Sequence, residues 1–144
     1  MFFGSYEYNI DDKGRIVIPS KMRQDIGEKL YLLKGFDGCI STYKEEDFHK
    51  FIENVQALPY EKSKVRAFLR MILSSAVELN VDRQWRLLIS RNTLTEYHIE
   101  SKVMIVGQID HIEIWNLDSW NAYKADKDQE FEINAEGLFD FNEK

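Results

Sequence analysis

The chain has 144 residues, 44% hydrophobic and 13% aromatic, with only 7 glycines and 2 prolines: enough apolar material for one ordinary core, too little Gly and Pro for a disordered chain. The single Cys39 excludes an internal disulfide framework, three scattered histidines offer no zinc spacing, and no apolar run approaches the roughly 18 residues needed to cross a bilayer. The formal net charge of -6 is uneven, because residues 125–144 hold seven of the 25 acids and two of the 19 bases; the nearly neutral body before them leaves a polyanion partner open.

In chain order, the start "MFFGSYEY" lacks the basic and apolar regions of a signal peptide, so a cytoplasmic location is expected. A short strand then runs into the corner Asp11-Asp12-Lys13-Gly14-Arg15, and Arg15 opens a strand through Ile18. Ser20 is placed to cap a short helix and Gly27 to end it. Residues 30–33 and 39–43 read as a strand pair joined by the turn "GFDG". Thr42 and Glu45 have capping-box spacing, and Phe48, Phe51, Ile52, Val55 and Leu58 then fall on one helical face until Pro59 breaks it. A second helix, from near Glu61, turns Val65, Phe68, Leu69, Ile72 and Ala76 inward. Lys62, Lys64, Arg66 and Arg70 stay outside as a solvated face.

From Asp82 the pattern begins again. Residues 82–90 align with 11–19 at an offset of 71, and residues 106–107 and 112–115 align with 34–35 and 40–43 at an offset of 72, with Trp120 falling on Phe48. Ser90 is placed to cap the second short helix, and "GQID" to turn residues 103–106 back into 112–115. The expected organisation is a first repeat unit at residues 1–50, a helical linker at 51–76, a second unit at 77–124 and an acidic tail at 125–144. Phe131, Ile133, Leu138, Phe139 and Phe141 make that tail too apolar for pure disorder, and suited to docking on a neighbouring surface. Neither unit alone can bury its apolar faces, so the two should intertwine into one β-rich α+β barrel.

The repeated corner, Asp-x-x-x-Arg, has two uses. As structure, the carboxylate accepts turn N–H groups and pairs with the guanidinium, while Gly14 supplies a backbone conformation other residues reach at a cost. As function, Asp aims Arg outward, where its planar donor fork meets phosphates or guanine edges. For catalysis there is no nucleophile elbow, phosphate-binding glycine loop or paired-histidine motif, so no enzyme, catalytic residue, cofactor, metal or small-molecule substrate is expected. The alternative is a ring-forming protein-interaction module with Arg15 and Arg86 at subunit interfaces and Phe2, Phe3, Trp115, Trp120 and Tyr123 exposed for assembly.

Five stretches carry a family resemblance: Met1-Phe2-Phe3-Gly4, "DDKGRIVIP", residues 65–82, "VGQ" at 106–108 and "IEIW" at 112–115. Over residues 1 to about 120 and in this order, the chain resembles the MraZ family, bacterial regulators of the division and cell-wall gene cluster related to the AbrB-like transition-state regulators. The resemblance implies a tandem swapped-hairpin barrel of the double-psi type with a helical insert and C-terminal tail, assembled into a ring-shaped homo-oligomer. It also implies a nucleoid-associated transcription regulator that binds double-stranded DNA at short direct repeats in the promoter upstream of its own gene. Family motif residues carry over to Asp11 and Arg15 and to Asp82 and Arg86, making Arg15 and Arg86 the expected DNA contacts, with Lys13 and Arg83 flanking them on phosphates and Gly14 supporting the motif. Two departures stand in the second copy: Trp85 replaces the usual glycine, which disfavours a positive φ there, and Ser90 replaces the usual proline.

Overall fold

A computed structural model describes residues 1–139. The expected tail is thus seen as far as Phe139, and Phe141 lies outside the described residues. The first half runs β1 (Ser5–Asn9), β2 (Arg15–Val17), a 3-10 helix (Ser20–Asp25), β3 (Lys29–Lys34), β4 (Ile40–Lys44) and helix α1 (Glu45–Gln56). After helix α2 (Ser63–Ser74) the order returns as β5 (Val77–Asn80), β6 (Arg86–Leu88), α3 (Arg91–Glu96), β7 (Lys102–Gly107), β8 (Ile112–Asn116) and α4 (Leu117–Gln129), followed by α5 (Phe131–Ala135).

The fold is mixed α+β, and every strand pair is antiparallel. Six strands form one sheet in the order β1-β7-β8-β4-β3-β5, and β2 pairs with β6 in a separate two-stranded ribbon. The halves interlock, because β1 pairs with β7 of the second half and β5 with β3 of the first. Hydrogen bonding does not close the sheet into a barrel: β1 and β5 remain its edges. Among the described residues, β2 and β6, three residues each, pair with one another and with no strand of the larger sheet.

One apolar core fills the space between sheet and ribbon. The ribbon contributes Ile16 and Leu87, paired directly across the ladder, while Leu30, Leu32, Ile40, Ile105 and Ile114 come from the sheet. Burying an aliphatic side chain contributes about 1.5–3 kcal/mol, against roughly 0–1 kcal/mol for an exposed ion pair. Burial of Ile16 and Leu87, rather than the charges at its ends, therefore holds the ribbon down. On the outer face of the sheet, Trp115 packs with Cys39 and Val106 beneath Trp120 and Tyr123 of α4. The Tyr43–Phe51 pair, centroids 5.3 Å apart, occupies the place that Trp115–Tyr123 holds at 5.0 Å in the second half.

Several local expectations change. Ser20 lies inside the 3-10 helix, whose N-cap is Pro19 with no side-chain bond, although Gly27 follows that helix with φ +78°. Thr42 does not cap α1: it is buried in β4, where its hydroxyl donates to the Ile112 carbonyl at 3.0 Å, and the N-cap is Lys44. Ser90 does cap α3, accepting from the Thr93 N–H. Phe2 and Trp115, only 2% and 4% exposed, are core residues, and Trp120 and Tyr123 are half-buried against Trp115, which leaves Phe3 as the exposed aromatic of that set. Arg66, expected on the solvated face, folds back to donate to the Tyr60 and Glu61 carbonyls.

Candidate nucleic-acid interface

The two corners are built the same way. Asp11 Oδ1 accepts from the Lys13 N–H at 2.9 Å and the Arg15 N–H at 2.8 Å, and Asp11 Oδ2 accepts from Arg15 Nε at 2.6 Å. Asp82 repeats this with the Gln84 N–H at 2.8 Å, the Arg86 N–H at 2.9 Å and Arg86 Nε at 2.8 Å. Each aspartate thus uses one oxygen to shape the turn and the other to hold the arginine. The corners also brace each other, since Ile89 N–H donates to the Gly14 carbonyl and Ile18 N–H to the Trp85 carbonyl.

These contacts set the charge state. The Arg15 backbone N–H leads the influences that hold Asp11 below the ordinary carboxylate range, joined by the Arg15 guanidinium and the Lys13 N–H. For Asp82, desolvation pushes upward but is outweighed by the Arg86 N–H, its guanidinium and the Gln84 N–H. A lowered folded pKa means these contacts contribute fully above about pH 4, the unfolded aspartate value, and are lost only as pH falls through the lowered folded value. Near neutrality both arginines are aimed.

The register decides where they point. In the β2–β6 ladder Arg15 faces Leu88, Ile16 faces Leu87 and Val17 faces Arg86. Alternation sends Ile16 and Leu87 inward, so Arg15, Val17, Arg86 and Leu88 share the outer face. Arg15 and Arg86 are diagonal neighbours on it, with side chains separated at their roots by about 7–8 Å. Nε of each is committed to its aspartate, and among the described residues the terminal nitrogens of neither donate a hydrogen bond. Lys13 and Arg83 stand exposed on the two turns, but not at equivalent places: Lys13 aligns with Gln84, and Arg83 with Asp12.

Trp85 takes the positive φ that a bulky side chain disfavours. It adopts φ +61°, beside φ +88° at Gly14, so the second turn keeps its shape and the tryptophan takes the left-handed conformation itself. Its indole lies on the surface with the Arg23 guanidinium 5.8 Å above the ring, while Arg23 Nε donates to the Ile18 carbonyl. Arg23 thereby adds a cation beside the second corner. Sequence reading missed it because nothing in the spacing links the 3-10 helix to Trp85; only the offset of 71, which sets Arg23 opposite Leu94, hinted at a shared position.

Two interlocked repeats carrying paired Asp–Arg corners at the ends of one short β-ribbon define the class, a duplicated α+β protein. The family described as "MraZ protein, putative antitoxin-like" matches the chain twice, at residues 1–71 and 72–142. Similar proteins named "Transcriptional regulator MraZ" occur in Caldanaerobacter subterraneus subsp. tengcongensis (40% identical over 142 residues, 99% of each chain) and Acetivibrio thermocellus (38% over 138 residues, 96% of each). Another, from Ligilactobacillus salivarius, is 34% identical over 142 residues and 99% of each chain. The chain belongs to the MraZ family.

Proposed function

We propose that this chain is a sequence-specific DNA-binding transcriptional regulator, acting in the cytoplasm on the nucleoid. Its targets are short direct repeats in the promoter upstream of its own division and cell-wall gene cluster. One observation carries the reading: two corners of the same geometry place Arg15 and Arg86 diagonally on the outer face of one two-stranded ribbon. A ribbon of that kind fits the major groove, and a guanidinium fixed through Nε still offers its terminal nitrogens to guanine O6 and N7 or to phosphate. Lys13 and Arg83, on the turns, reach flanking phosphates. The names of the relatives, which describe regulators and not enzymes, support the same reading. So does a body that is nearly neutral once the acidic tail is set aside.

The swapped-hairpin barrel and the ring-shaped homo-oligomer belong to this reading too. One ribbon makes few contacts; several ribbons on one assembly meeting successive repeats raise the effective concentration. Among the described residues no helix is long and apolar enough to cross a membrane. The test is fluorescence anisotropy with DNA from upstream of the chain's own gene, titrated across salt, against scrambled DNA and an Arg15→Ala variant. Selective binding that weakens with salt and is lost in Arg15→Ala is expected. Absence of selectivity at low salt in intact oligomers would sink the reading and favour the ring-forming interaction module, with Leu88 and Trp85 as its exposed apolar contacts.

A further inference from the structure

Past α4 the chain carries apolar side chains that none of the described residues covers. Phe131, Ile133, Leu138 and Phe139 are each 60–80% exposed, and neither α4 nor α5 buries a residue. Four large exposed apolar groups within nine residues mark a contact surface more than a solvated end.

Away from the β2–β6 ribbon, two of the exposed apolar places among the described residues could receive them. One is a groove of about 270 Å³ between α2 and the β3–β4 turn, lined by Phe36, Ala67, Phe68, Met71 and Ile72. Phe36 stacks on Phe68 with centroids 6.3 Å apart, yet Phe36 and Met71 remain exposed. The other is the exposed patch of Met1, Phe3 and Ile109. Charge separates the two. Lys34 lines the groove, and Lys64 continues its stripe one turn earlier on α2, three and four residues before Ala67 and Phe68. Lys34 has a long exposed ion pair with Glu96 at 3.9 Å and lies 5.8 Å from the Tyr97 ring centre, and among the described residues Lys64 has no ion pair. At the Met1–Phe3–Ile109 patch, Asp25 pairs with the Met1 ammonium at 3.3 Å and Asp110 with His111 at 2.8 Å, so the cations there already have carboxylate partners. The segment itself brings Glu132 and Glu136, which suit the lysine-edged groove and find at the patch only cations that are already paired.

We propose that residues 131–139 of one copy of this chain dock in the α2 groove of a second copy, with Phe131, Leu138 and Phe139 against Phe36, Phe68 and Met71 and the acids facing Lys34 and Lys64. The contact joins two different surfaces, so it repeats head to tail and closes a ring where the rotation per copy divides a full turn. This inference rests on the self-assembly in the reading above and is independent of DNA contact.

The full-length protein tests it in two ways. Sedimentation velocity compares the wild type with a Phe131→Ser, Phe139→Ser double variant; both positions are exposed, and circular dichroism checks that the fold is kept. The oligomer should fall to smaller species, and Lys64→Glu should weaken association about tenfold. Separately, differently tagged Met71→Cys and Phe139→Cys chains are mixed and treated with a short bismaleimide, with buried Cys39 giving little background. A cross-link between the two tags is expected. An oligomer of unchanged mass in the double variant, or no cross-link between the two tags in a mixed oligomer, would overturn the proposal while leaving self-assembly intact. A wild type that is monomeric at every concentration would remove the self-assembly reading and this contact together.

Discussion

Gly14 and Trp85 stand at the same place in the two turns and meet different surroundings. A Cβ on Gly14 would lie 2.7 Å from the Ile89 carbonyl oxygen and 3.4 Å from the Leu94 side chain, at φ +88°. Position 85 has Arg23 where position 14 has Leu94, and that flexible side chain lies over the indole instead of excluding it. Gly14→Ala should therefore destabilise by about 1–3 kcal/mol, from left-handed strain plus a backbone clash. Trp85→Gly trades relief of strain against the lost indole–guanidinium contact and a freer unfolded chain, and should come within about 1 kcal/mol of wild type. Urea denaturation of both variants checks this, and equal losses would refute the asymmetry. Asp11, Arg15, Asp82 and Arg86 were legible because their chemistry is local, a carboxylate four residues from a guanidinium. Arg23 was not, because its partner comes from the other half of the chain.

At the scale of elements, the N-terminal segment shows how the halves are fastened. Phe2 exchanges backbone hydrogen bonds with Ile109, at 2.9 and 2.7 Å, and drops its ring into the core. Gly107 makes room for it: a Cβ there would lie 2.5 Å from both Phe2 C and Phe3 Cα. Backbone cannot yield as a side-chain tip can, so Gly107→Ala should unseat Phe2 and lose about 3 kcal/mol, toward the lower end of removing a buried phenylalanine. Thermal and urea unfolding measure the loss; a variant of near wild-type stability would show that the segment contributes little. Strand periodicity found residues 30–33, 39–43, 103–106 and 112–115 to within a residue or two at either end. Caps were harder. Ser90 precedes its helix in an extended conformation and bonds forward, whereas Thr42 sits on the core side of a strand, where its hydroxyl is taken by β8.

The whole molecule offers one ribbon with Lys13, Arg15, Arg83 and Arg86 around it. Four cations on phosphate give a salt slope of about -3.6, or roughly a hundredfold loss of affinity between 50 and 200 mM salt. Assemblies meeting several correctly spaced repeats should bind roughly 10²- to 10⁴-fold tighter than those meeting one. Titrating one-repeat and four-repeat DNA at both salts measures these effects, and equal affinity for the two lengths would refute the multivalent mechanism. The amino-acid order determined by itself what depends on neighbours along the chain: the strand and helix periods, the duplicated corner, and the apolar faces that must be buried. Tertiary structure alone decided that β1 pairs with β7 and β5 with β3, that β2 and β6 form a separate ribbon in an open arrangement, and that both arginines share its outer face. Pairing between strands far apart in the chain is fixed by shared burial and register, and no local spacing encodes either.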